Sequence, residues 1–170
     1  MNHARTSLLA TTVFASLASI NPNTLSAEAV YAHNFKLSSL TTKQPVELLD
    51  FSGKIIYLDF WASWCKPCIK SLPELNKLRN ELKKNVNFEV IGVNIDENTQ
   101  DAKEFIAKRP VDYPVLIDTD GKVAHKYGVS VIPRSYLIDE SGQIVAIYRD
   151  FKENDILKIK NTVNQLSRKQ

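Results

Sequence analysis

Cys65 and Cys68 are the only cysteines in the 170-residue chain, and they stand three positions apart. Two thiolates are half of a structural zinc set. Of the three histidines, His3 and His33 belong to the N-terminal stretch and only His125 could join them, one ligand short of a closed tetrahedron. A disulfide across two intervening residues closes too small a loop to add much stability. The spacing suits redox chemistry instead. At the first turn of a helix, the leading sulfur meets unpaired backbone N–H groups that favour its thiolate. The trailing sulfur, one turn along, can attack a mixed disulfide and resolve it. Cys65 is therefore the expected nucleophile and Cys68 the resolving thiol, with Lys66 between them pushing further toward thiolate.

The elements that must hold this pair are readable on either side of it. Residues 54–62, KIIYLDFWA, follow Gly53 as a nearly continuous apolar, β-branched and aromatic run. That is the pattern of a strand buried on both faces. Residues 67–84 read as a helix, with Leu72, Leu75, Leu78 and Leu82 at helical spacing and Pro73 expected to kink it. Residues 86–96 form a second buried strand, 99–108 a short helix and 115–117 a brief strand, and 123–127 add one or two helical turns closed by Gly128. Residues 135–138 and 143–148 form a hairpin across Glu140-Ser141-Gly142. Residues 155–167 close the chain as an amphipathic helix. Residues 34–50 are mostly polar, an extended lead-in with a strand near Phe35-Lys36-Leu37. Alternating strands and helices, then a hairpin and a helix, imply an α/β fold with a central mixed sheet flanked by helices. With no repeat and no low-complexity linker, residues 34–168 read as one domain.

The first 27 residues differ in kind. Arg5 is the only charge before Glu28, residues 6–20 are largely apolar, and Leu25-Ser26-Ala27 offers small residues at a cleavage point. This is the pattern of a secretory signal peptide over residues 1–27, cut after Ala27 or, as a second choice, after Ala32. The rival is an uncleaved membrane anchor, for which about fifteen residues dotted with Ser and Thr are short against the roughly 20 needed. Cleavage removes Arg5 and no acid, so 22 basic against 19 acidic residues becomes 21 against 19. Export places the chain where disulfides persist, a periplasmic or other extracytoplasmic setting. A net charge of +3 with scattered basic residues argues against a nucleic-acid partner.

The run Asp59-Phe60-Trp61-Ala62-Ser63-Trp64-Cys65-Lys66-Pro67-Cys68 resembles the active-site strand, loop and helix start of thioredoxins. Gly92-Val93-Asn94-Ile95-Asp96, Tyr127-Gly128-Val129 and Ile132-Pro133-Arg134-Ser135-Tyr136-Leu137-Ile138-Asp139 extend the likeness. Together they are similar to the TlpA/ResA branch of bacterial extracytoplasmic thioredoxins, over roughly residues 37–166. The resemblance implies a thioredoxin fold and a thiol–disulfide oxidoreductase that needs no cofactor or metal beyond its Cys65–Cys68 disulfide. It implies that Asp59 is the buried carboxylate that helps move the proton off the resolving thiol. Pro133 matches the cis-proline that faces the pair and presents the substrate backbone, and a cis X–Pro bond marks a specific local constraint. Ile132 precedes it, Trp64 belongs to the substrate surface, and Trp61 serves mainly packing.

The partners implied are exported protein thiols and disulfides, apocytochrome c among them, and a membrane protein that relays electrons to a monomeric enzyme. Two departures accompany the likeness. Ser71 stands where many members have Glu, and Asp59 where many have Asn, which moves the acid–base group to the thioredoxin position. Pro67, Ile132 and Asp59 match reductants, whereas Lys66 favours a disulfide donor. A copper-handling module on the same fold is the alternative from another class, since copper(I) favours soft thiolates. Related copper proteins separate their cysteines by three residues, and here there are two. Peroxide reduction fits less well, because a peroxidatic cysteine occupies a different loop setting. His125 reads as an exposed helical residue, and Asp118, Asp120, Asp139 and Glu140 as turn residues.

Overall fold

A run of seven residues that is apolar on both sides of its pleat except at Asp59 has to be covered twice, and the strand Ile55–Trp61 is buried at every position. The computed structural model describes residues 28–152 and 154–168; the expected signal segment lies outside the described residues. Among these, the strands in chain order are β1 Lys36–Ser39, β2 Pro45–Glu47, β3 Ile55–Trp61, β4 Phe88–Asn94, β5 Val115–Ile117, β6 Arg134–Ile138 and β7 Ile144–Tyr148. The helices are α1 Lys66–Leu82, α2 Thr99–Lys108, α3 Lys122–Lys126 and α4 Asp155–Ser167. One mixed sheet has the order β2-β1-β5-β4-β3-β6-β7. β3, β4 and β5 run parallel to one another, and the other pairings are antiparallel.

Alternation along β3 divides the interior. Ile55, Tyr57 and Trp61 join a cluster with Leu72, Leu75, Leu78 and Leu82 of α1, Phe105 of α2, and Ile159 and Val163 of α4. Ile56, Leu58 and Phe60 join a second cluster with Val123 and Ala124 of α3 and with Phe35 and Leu48. Each buried leucine of α1 contributes about 2 kcal/mol, enough to fix the helix that carries the cysteines. α1 runs through Pro73 as one helix. The proline removes the N–H that would have met the Ile69 carbonyl.

The polar lead-in holds more structure than its composition implies. The strand expected near residues 35–37 occupies Lys36–Ser39, and a further strand, β2, and a 3₁₀ turn over Leu48–Phe51 follow it. A three-residue edge strand opened by Pro45 has no periodicity to read, and only an edge tolerates the proline. Upstream, the chain folds back onto the β6–β7 turn. Ala32 N–H donates to the Gly142 carbonyl at 2.9 Å, and Ile144 N–H to the Val30 carbonyl at 2.7 Å.

Candidate active site

β3 and β4 end side by side, with Trp61 opposite Asn94, and the loop from β3 into α1 is tied down there. Ser63 N–H donates to both oxygens of Asp96, at 3.2 and 3.0 Å, and Ser63 Oγ donates to Oδ1 at 3.0 Å. Asn94 Nδ2 donates to Asp96 Oδ2 at 2.8 Å, while the Asp96 N–H returns a bond to Asn94 Oδ1 at 3.1 Å. Asn94 and Asp96 are both buried. They entered the sequence reading only as part of a motif; the available signal was an Asn-x-Asp pair at the tip of an otherwise apolar strand. Asp96→Ala would leave the Ser63 N–H and the Asn94 amide without acceptors. A loss of about 2–4 kcal/mol in urea unfolding is expected. A loss under about 0.5 kcal/mol would show that the loop is held by something else.

That loop delivers Cys65 as the N-cap of α1, extended at φ −81° and ψ 100°, with its sulfur accepting the Cys68 N–H at 3.3 Å. Cys65 and Cys68 are joined as a disulfide, with Cα atoms 5.3 Å apart. Pro67 occupies the first turn, where a missing N–H costs no hydrogen bond. Cys65 is 4% exposed and Cys68 0%, so only the leading sulfur offers an approach to an external partner. Lys66 and Pro67 are exposed between them.

Asp59 lies between Tyr57 and Trp61 in β3, and alternation turns it toward the cluster that contains both cysteines. It is buried; Ser135 Oγ donates to Oδ1 at 2.7 Å, while Oδ2 has no partner. Burial raises its carboxyl from 3.8 to about 7, with the Ser135 bond pulling the other way. Gly92 stands opposite Asp59 on β4. A Cβ there would come within 3.1 Å of Trp61 Nε1 and 3.3 Å of Tyr113 Cε2, so the bare backbone makes room for the Trp61 indole. Trp61 is fully buried against Phe105, with ring centroids 5.2 Å apart.

The Ile132–Pro133 bond is cis. Pro133 is buried, and Ile132 packs against the cluster that includes Cys65 and Cys68. Trp64, 67% exposed, and Ile132 line a shared recess of about 270 Å³ with Ile95, Val129, Ser130 and Val131. A second recess lies beside Leu48, Phe51, Ile56 and Ile138, where β3 begins and β6 ends, at the opposite end of the sheet. The structure thus gathers Cys65, Cys68, Trp64, Ile132 and Pro133 at one end of the sheet, with Asp59 and Trp61 behind them.

The Redoxin family matches residues 27–166. The chain belongs to the Redoxin family. Thiol-disulfide oxidoreductase ResA of Bacillus thuringiensis subsp. konkukian is 39% identical over 114 residues, covering 67% of this chain and 65% of the relative. ResA of Bacillus subtilis strain 168 is 35% identical over 123 residues, 71% of this chain and 66% of the relative. The chain therefore spans just under two thirds of the length of these relatives. A crystal structure assigned as thiol:disulfide interchange protein DsbE from Chlorobium tepidum is 34% identical with TM-score 0.77, covering 81% of this chain and 96% of that one. The thioredoxin domain of a thiol-disulfide oxidoreductase from Bacteroides vulgatus is 28% identical with TM-score 0.72, covering 83% and 98%. The fold is that of a thioredoxin domain.

In this Redoxin-family chain Ser71 is buried, its Oγ donating to the Cys68 carbonyl at 3.2 Å. It ties down the turn that follows the pair. His125 is exposed on α3. Asp118 accepts the Val123 and Ala124 N–H groups at 3.1 and 2.8 Å, and Asp139 accepts those of Ser141 and Gln143 at 3.0 and 2.9 Å. These aspartates are occupied with turns and helix starts.

Proposed function

We propose that this protein is an exported thiol–disulfide oxidoreductase that reduces disulfides in other exported polypeptides, with apocytochrome c as one candidate substrate. The observation that carries this reading is the Cys65–Cys68 disulfide at the first turn of α1, with the Cys68 N–H on the Cys65 sulfur. Residues 34–168 act as the catalytic unit. Residues 1–27 serve as the signal peptide, and cutting after Ala27 keeps the Val30 carbonyl that accepts from Ile144, which a cut after Ala32 would remove. No helix among the described residues is long and apolar enough to cross a membrane.

In the reduced protein the Cys65 thiolate attacks one sulfur of a substrate disulfide, and the other substrate sulfur leaves as a thiolate that takes up a proton. The resulting mixed disulfide is resolved when Cys68 gives its proton toward Asp59 and attacks the Cys65 sulfur. The Cys65–Cys68 disulfide re-forms and the substrate leaves with both cysteines reduced. Two electrons pass from the dithiol to the substrate with no metal or organic cofactor. A membrane electron relay then restores the dithiol. Trp64, Ile132 and the cis Pro133 form the face on which the substrate chain rests.

The reductant reading is supported by what the site does to a thiolate. Strong oxidants stabilise the reduced thiolate greatly. Here the Cys68 N–H favours it, but Asp59, once ionised on the same side of the sheet, opposes a second negative charge. Lys66 is exposed and screened by solvent. Equilibration against a glutathione redox series is expected to place the midpoint nearer roughly −270 mV than about −120 mV, with insulin reduction as the activity assay. A midpoint near the upper value would make the protein a disulfide donor.

A further inference from the structure

Two arginines stand beside the cis-proline loop, and among the described residues no carboxylate forms an ion pair with either. Arg134 follows Pro133 directly, opens β6 and lies opposite Phe60 of β3. β6 and β7 pair antiparallel with Ser135 opposite Tyr148, and one more step in that register sets Arg149 opposite Arg134. Both act on the same neighbour. Burial raises the Tyr136 phenol above its ordinary value, and the charges of Arg134 and Arg149, with a side-chain hydrogen bond from Arg134, pull it back. Arg134 is half-buried, and its Nε is enclosed without a hydrogen-bond partner, while Arg149 is exposed.

Among the described residues neither arginine forms an ion pair. Two described acids that follow Arg149 are engaged elsewhere. Asp150 accepts the Phe151 N–H at 2.8 Å, and Asp155 takes the Lys152 N–H at 2.8 Å and Lys158 Nζ at 3.3 Å. Like charges facing each other across two strands destabilise a sheet. An arriving anion would relieve that repulsion.

We propose that Arg134 and Arg149 form a cationic subsite that receives an Asp or Glu side chain close to the cysteine under attack in the substrate polypeptide. This rests on the oxidoreductase reading above. A substrate strand laid along Ile132 advances about 3.3 Å per residue, so side chains a few positions from its cysteine come within reach of Arg134. A guanidinium fork matches a carboxylate in plane and offers two parallel hydrogen bonds. Two forks on neighbouring strands discriminate acidic from neutral or basic substrate segments without touching the sulfur chemistry.

The test uses the reduced full-length protein and disulfide peptides that differ only in Glu, Gln or Lys scanned through the positions flanking one cysteine. At the best position kcat/KM is expected to fall in the order Glu, Gln, Lys, with Glu over Gln by about 5-fold at low salt. The preference should shrink toward one as ionic strength rises, and should shrink likewise in Arg149→Gln and Arg134→Gln. Because Arg134 is half-buried, its variant could fail to fold; the exposed Arg149→Gln and the salt series on the native protein then decide. Equal rates for all peptides, or a preference that survives both salt and Arg149→Gln, overturn the subsite. Failure to reduce any peptide sinks the oxidoreductase reading, and the subsite with it.

Discussion

Cys65→Ser should lower disulfide exchange by about 10³-fold or more, whereas Cys68→Ala should permit the first attack and stop there. The asymmetry follows from the helix start. The Cys65 sulfur accepts the Cys68 N–H, and of the two residues only Cys65 has exposed surface. A hydroxyl at position 65 is a weak nucleophile near neutral pH, and nothing in the site activates it. Without Cys68 the substrate remains joined to Cys65, because the resolving attack has no sulfur. Insulin turbidity reads the loss of turnover, and mass spectrometry after mixing Cys68→Ala with substrate reads the trapped mixed disulfide. Alkylation of the reduced native protein should modify Cys65 first. Faster labelling of Cys68 would reverse the two roles.

Asp59→Asn should slow the resolving step about 10²-fold above neutral pH and, in the same pH range, make the protein more stable. Burial holds the Asp59 carboxyl at about 7, against 3.8 for an ordinary aspartate. The folded chain therefore keeps a proton that the unfolded chain releases. The stability associated with that proton is fully present below pH 3.8 and is lost as pH rises through about 7, a change of about 4 kcal/mol. Asparagine does not titrate, so the stability difference between variant and native protein should widen in favour of the variant across this window and level off above it. The resolving rate of the native protein should rise with the ionisation of Asp59, since only the carboxylate can accept the Cys68 proton. The variant should follow the ionisation of Cys68 alone. Single-turnover release from the Cys65 mixed disulfide and urea unfolding, both against pH, measure the two effects. An unchanged rate together with a flat stability difference would remove Asp59 from the mechanism.

Most of the elements were legible because their signals are local. α2, β5 and α4 span the residues read from their composition and spacing. β3 differs from the expected 54–62 by one residue at each end, and α1 starts one residue before and ends two residues before the expected 67–84. β2 was invisible, since three residues opened by a proline carry no period. Strand order was not readable either. β1 lies beside β5, almost eighty positions away, with Ser38 opposite Ile117, and nothing in either segment names the other.

By itself the sequence determined which groups are brought together locally: two sulfurs at i and i+3, an apolar strand before them and an amphipathic helix after them. Those are properties of neighbouring residues, set by backbone periodicity and side-chain type. The tertiary structure alone decided what surrounds the sulfurs. It carried Asp59 into a site with one hydrogen bond and no water-facing oxygen, which is what moves its carboxyl to about 7. It brought Asp96 to Ser63 across 33 positions and Ile132 to Trp64. Desolvation and long-range pairing depend on which segments become neighbours in space, and that follows from the packing of the whole sheet rather than from any window of the chain.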